Sequence, residues 1–159
     1  MSPAILIPRQ ITRQLFPAVK KLAPLLNAAA FTNDGILRAE LTCRAAVATV
    51  RREITAASAV YVTWDVRGRC RYVGSVHRGA PTAVSNRLAE HHQHRTEGGV
   101  RREEWVLLTV LPMRVDASPP VVLAAEGWAA RILSPLDGVA HPQIDLVRPP
   151  AVIAAAMGT

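Results

Sequence analysis

Cysteine is scarce: Cys43 and Cys70 are the only two in 159 residues, which excludes a disulfide framework. Aromatic residues make up only 4% of the chain. No apolar run approaches the roughly 18–20 residues of a membrane span, so no membrane partner is expected. The opening residues reach Pro8 and Arg9 after a short apolar run, without the pattern of a signal peptide, and a cytoplasmic location is the expectation. Acids are few as well. Twelve Asp and Glu face nineteen Lys and Arg, a formal net charge of +7. That balance suits phosphate backbones, acidic partners or anionic surfaces without choosing among them. What the chain does have is apolar content, 50% of its residues, mainly Ala, Val and Leu. This is enough to bury a core and excludes intrinsic disorder, and the length fits one domain with an appendage.

The basic excess is uneven. Residues 1–58 carry eight Lys and Arg against three acids, whereas residues 59–159 carry eleven against nine. Residues 10–57 read as helical: Ile11, Leu15, Val19, Leu22 and Leu26 recur at helical steps, with a break or fresh start expected near Pro17. Thr32 to Gly35 reads as a turn. Beyond it, Ile36, Cys43, Val47, Val50 and Ile54 share the apolar face of a second helix, which leaves Arg38, Arg44, Arg51 and Arg52 on other faces. Those arginines are either solvated charges of a helical cap or a grip on nucleic-acid phosphates.

After Ser58 the period changes. Residues 60–64 and 70–73 are rich in β-formers around a turn-like stretch from Asp65 to Arg69, which predicts a hairpin. A helix from Ala83 to about Arg95, a strand from Trp105 to Leu111 and a helix from Pro119 to Leu133 follow. The predicted fold is α+β, a small three-stranded sheet, mixed or antiparallel, flanked by helices. A helical N-terminal extension, residues 1–57, precedes this domain of residues 58–145, and residues 146–159 form a loose apolar tail.

Tyr61 within Val-Tyr-Val, Tyr72 within Tyr72-Val73-Gly74, Arg87 and His91 on the next helix and Glu126 on the last form an ordered series. In that order and on those elements, the series resembles the GIY-YIG nuclease family over residues 58–145. The resemblance implies a metal-dependent endonuclease that hydrolyses phosphodiester bonds, with DNA ahead of RNA as its nucleic-acid partner. It implies that Tyr61 or Tyr72 activates the attacking water as a general base, that Arg87 stabilises the pentacovalent phosphate, and that Glu126 binds Mg2+ or Mn2+.

The residue types fit that chemistry. Two tyrosines on adjacent strands can share a face, and Gly74 lets a backbone or a phosphate approach closely. Arg87 and His91, four apart, share a helix face and can aim a planar cation and a proton carrier at one phosphate. A lone carboxylate can hold a hard divalent ion that keeps most of its water. A tyrosine base requires a phenol pKa lowered from about 10 by a nearby cation. One departure stands out: the loop after Leu133 has no asparagine, and His141 is the nearest substitute. Structural zinc on Cys70 and the histidines lacks paired ligand spacing. The alternatives are a catalytically weak or inactive nucleic-acid-binding module on the same scaffold and an RNA-cleaving toxin.

Overall fold

The structure, a computed structural model, describes residues 9–27, 37–40, 48, 50–52, 54–93 and 104–137, with backbone alone at 37–40 and 91–93. Its elements are α1 (Arg9–Leu22), a 3-10 turn (Ala23–Leu25), β1 (Leu37–Glu40), β2 (Ser58–Trp64), β3 (Cys70–His77), α2 (Ala83–Gln93), β4 (Leu107–Pro112) and α3 (Pro119–Leu133). The α+β class is as expected, with every strand pair antiparallel and helices on both sides of the sheet. No helix among the described residues is long and apolar enough to cross a membrane.

The three expected strands are joined by a fourth, giving the order β1-β4-β2-β3. Leu37–Glu40 was expected inside a helix; it pairs instead with β4, Leu37 opposite Val110 and Glu40 opposite Leu107. The sequence Leu-Arg-Ala-Glu alternates apolar and charged residues, which is the period of a half-buried edge strand. Arg38 therefore lies on this edge strand, opposite Thr109, and not on a helix. Residues 50–52 are helical, and Val50 and Ile54 are buried as the helical spacing required. Ile36, Cys43, Arg44 and Val47 lie outside the described residues.

The sheet is covered on both faces. Against one face pack Ile11, Leu15, Ala18 and Leu22 of α1 and the small-residue face of α3, over Val60, Val62 and Trp64 of β2. Against the other pack Ala83, Val84 and Leu88 of α2 together with Val50 and Ile54, over Ala59, Tyr61, Tyr72 and Val110. This is why the central strands read as continuous apolar runs. Pro17 does not break α1, which continues to Leu22. The residue is exposed, so water can replace the amide it lacks. Gln14 ties α1 to the hairpin, its side-chain amide donating to the Gly68 carbonyl at 2.8 Å. That carbonyl belongs to a turn built on Asp65, whose carboxylate accepts the amides of Arg67 and Arg69 at 2.9 and 3.0 Å. Gly68 meets the positive φ of the turn, +74°.

α1 is thus part of the core. Leu15→Ala should cost about 2–5 kcal/mol, seen as an earlier midpoint in chemical unfolding. A chain that starts at residue 27 should be insoluble, because it removes one of the two helices that cover Val60, Val62 and Trp64 and exposes their apolar surface. A soluble, cooperatively folded truncation would contradict this packing.

Candidate active site

Tyr61 and Gly74 are direct partners across β2 and β3. A Cβ at residue 74 would fall within 3.0 Å of the Tyr61 ring, so the ring occupies the space a side chain would need. Gly74 is therefore used for close approach, by the tyrosine beside it. Tyr72, on the same face, lies 6.2 Å from Tyr61 between ring centroids and stacks on Trp105 at 5.0 Å. Both phenol residues are buried, 1% and 5% exposed.

Trp105 is itself held. Its indole N–H donates to Asp137 at 2.9 Å, and the same buried carboxylate accepts two N–H bonds from Arg71, at 3.2 and 3.0 Å. The amide of Asp137 donates to the Arg71 carbonyl, which pins the chain beyond α3 onto β3. A bidentate arginine–carboxylate pair fixes both position and angle.

Arg87 reaches the cluster from α2. It donates to the Tyr61 hydroxyl, and also to Glu90 at 2.7 Å. Glu90 accepts two further bonds from Arg78, at 2.7 and 2.9 Å. These bonds, those from Arg78 first, hold the Glu90 carboxyl down at about 2. Burial disfavours the Arg87 cation, but Glu90 and Tyr61 outweigh it and the guanidinium stays charged.

Glu126 reaches the cluster from α3. β3 is an edge strand, so some of its amides face away from the sheet. The Ser75 amide and hydroxyl donate to the Glu126 carboxylate, and Arg87 lies close enough to favour its ionised form. Burial nevertheless prevails and pushes the carboxyl up to about 7. Glu126 thus ionises near neutrality beside a fixed cation. Among the described residues no three His, Cys, Asp or Glu side chains cluster to hold a metal. A divalent ion here would take Glu126 as its one carboxylate and fill the remaining positions with water and phosphate oxygen.

Tyr61, Tyr72, Arg87 and Glu126 are thereby brought together, coupled in charge to one another. One expected role, that of Tyr61 as a base, meets an opposing effect. Burial first, then Tyr72, raise the Tyr61 phenol well above its ordinary range, and the opposing effect of Arg87 is smaller. The shift disfavours a phenolate at Tyr61, whose hydroxyl accepts the bond from Arg87. Of the other predicted residues, Arg51 is exposed and donates to Asn86 on α2 at 3.3 Å, beside Arg87, and Arg52 is exposed. Arg38 is on the far edge strand, two strands from β2. The side chain of His91 and all of Arg44 and His141 lie outside what is described.

Sequence reasoning missed Arg78, Glu90, Trp105 and Asp137. Only the acid after Pro135-Leu136, in the loop searched for an asparagine, offered a signal. A comparison with protein-family models, curated proteins and solved structures finds no match.

Gly74→Ala should displace the Tyr61 ring and cost about 1–3 kcal/mol by overpacking. A thermal melt and near-ultraviolet circular dichroism read the loss of stability and of aromatic order. An unchanged melt and spectrum would mean that the ring has room to move.

Proposed function

We propose that this protein is a metal-dependent endonuclease that hydrolyses phosphodiester bonds, with DNA ahead of RNA as substrate. One observation carries the reading. Four residues singled out by the resemblance to the GIY-YIG nucleases, Tyr61, Tyr72, Arg87 and Glu126, lie on four elements and form one cluster linked by charge. Mere packing residues of β2, β3, α2 and α3 have no reason to converge so. The guanidinium of Arg87, oriented from below by Tyr61 and from the side by Glu90, binds phosphate oxygens and favours the added charge of a pentacovalent phosphorus. Glu126, once ionised, is the carboxylate for Mg2+ or Mn2+. When bound, such an ion supplies charge neutralisation at the phosphate and the departing oxygen. Tyr72, stacked on Trp105, keeps the Tyr61 ring in place. The net positive charge of the chain favours a polyanionic substrate.

A second reading has its own support. Both tyrosines are buried, and the Tyr61 phenol is shifted away from base chemistry. These features suit a nucleic-acid-binding module with slow or no turnover. Incubation with supercoiled plasmid, with and without magnesium or manganese, separates the two. Nicking that requires the metal supports the enzyme, and binding without nicking supports the module.

Glu126 gives the pH dependence. A carboxyl raised to about 7 binds its proton more tightly in the folded chain than in the unfolded one. Its contribution to stability is present at acid pH, below the unfolded value of 4.5, and is lost as pH rises through about 7. Holding a cation requires the ionised form, so cleavage at limiting metal should rise with pH, by about tenfold per unit below the midpoint. Glu126→Gln should abolish metal-dependent cleavage and flatten the fall in stability towards pH 8. Cutting at the parent rate by that variant would remove the metal assignment.

Arg87→Ala should stop turnover, and Arg87→Lys should not restore it, because an ammonium cannot serve Glu90, Tyr61 and a phosphate with one planar fork. Tyr61→Phe removes the hydroxyl beneath Arg87 and should lower kcat by roughly tenfold or more, with KM little changed. Steady-state kinetics on a labelled duplex check both, and full activity in Arg87→Lys would exclude bidentate contact.

A further inference from the structure

Arg78 follows directly after β3, and its amide donates to the Ala57 carbonyl at 3.2 Å. Its guanidinium and that of Arg87 are held side by side although they repel. Glu90 makes this possible: its Oε2 accepts from Arg78 at 2.9 Å and from Arg87 at 2.7 Å, while Oε1 accepts from Arg78 at 2.7 Å. The three side chains are 38%, 36% and 41% exposed, so this is an open surface group, not a buried brace. Exposed ion pairs contribute only about 0–1 kcal/mol to folding, too little to explain two arginines drawn onto one acid at the mouth of the cluster. The trio carries a net charge of +1. A guanidinium has five N–H donors, and Glu90 uses two of those on Arg78. The other three take no acceptor among the described residues.

Resting on the nuclease reading above, we propose that Arg78 is a second phosphate ligand. Arg78 and Arg87 form a two-arginine cradle for the nucleic-acid backbone, with Glu90 as the spacer that sets their separation. Arg87 takes the phosphate to be cut, and Arg78 takes its neighbour on the same strand. Two fixed cations read the direction and spacing of a phosphate chain, which a single arginine cannot do. The cradle therefore selects a polynucleotide over an isolated phosphate. Arg51, tied to Asn86 one residue before Arg87, adds a further exposed cation beside α2.

The test measures binding of a fluorescent DNA duplex in EDTA, where nothing is cut, across a range of salt. Arg78→Ala should weaken binding about tenfold and lower the slope of log K against log salt by about 0.9. Arg78→Gln, which keeps a hydrogen bond to Glu90, should show the same slope, since the contact needs the charge. Arg67→Ala, an equal loss of charge at the far end of the hairpin, should change affinity less than twofold. Slopes for both Arg78 variants equal to that of Arg67→Ala would overturn the cradle. Plasmid nicking with magnesium, run on the same proteins, tests the nuclease reading separately. A parent protein that nicks while the Arg78 slopes stay unchanged sinks the cradle alone. A parent protein that binds without nicking, with the slope falling by about 0.9 in the variants, keeps the cradle and sinks the nuclease. A parent protein that binds no duplex overturns both.

Discussion

Tyr61 can lie over the neighbouring strand because residue 74 has no side chain there. From that contact the rest of the cluster follows. With Tyr61 across Gly74, Tyr72 is the next ring along the same face, and it has Trp105 to stack on. Trp105 in turn is anchored by Asp137, and Asp137 by Arg71 on β3. The chain of contacts runs from the middle of the hairpin to the chain after α3 and back to β3. Each aromatic pair adds only about 0.5–1.5 kcal/mol beyond its burial, but the rings leave one another few orientations. The buried Arg71–Asp137 pair is costly to desolvate, so its value is more in geometry than in stability.

The same burial decides the electrostatics. A cation beside a phenol lowers its pKa in principle, and Arg87 does act that way on Tyr61, yet desolvation is larger. At Glu126 the competition is repeated, with two Ser75 bonds and Arg87 opposing burial, and the carboxyl ends near neutrality. Glu90, at the surface with three bonds from two arginines, goes the opposite way. Burial thus raises two groups of the cluster, Tyr61 and Glu126, while hydrogen bonds from two arginines lower the third, Glu90. Proton-holding functions fall to the buried phenol, and anion- or cation-dependent ones to the groups at the rim.

The position of β3 at the sheet edge joins these effects. Only an edge strand has amides to spare for a carboxylate from a helix on the other face, as Ser75 has for Glu126. α2 and α3 cover opposite faces of the sheet. Their charges meet because both reach the same edge.

Much of this was determined by the sequence alone. A hairpin over residues 60–73, α2 and α3 are legible from period and turn chemistry, since side-chain alternation and Gly or Pro punctuation are local properties. Tyr61, Tyr72, Arg87 and Glu126 were legible as a series because their order along the elements is a property of the chain. Leu37–Glu40 was not, because four alternating residues inside helical spacing are outvoted locally, and only the free edge of β4 recruits them. Arg78 and Glu90, twelve residues apart, carry no spacing signal, and neither does the pairing of Asp137 with Trp105 and Arg71. The protonation state of Tyr61 was likewise beyond reach, since it depends on how far packing excludes water from one hydroxyl. Residue type and order are written in the chain, whereas dielectric and long-range partners come into being only when the chain closes on itself.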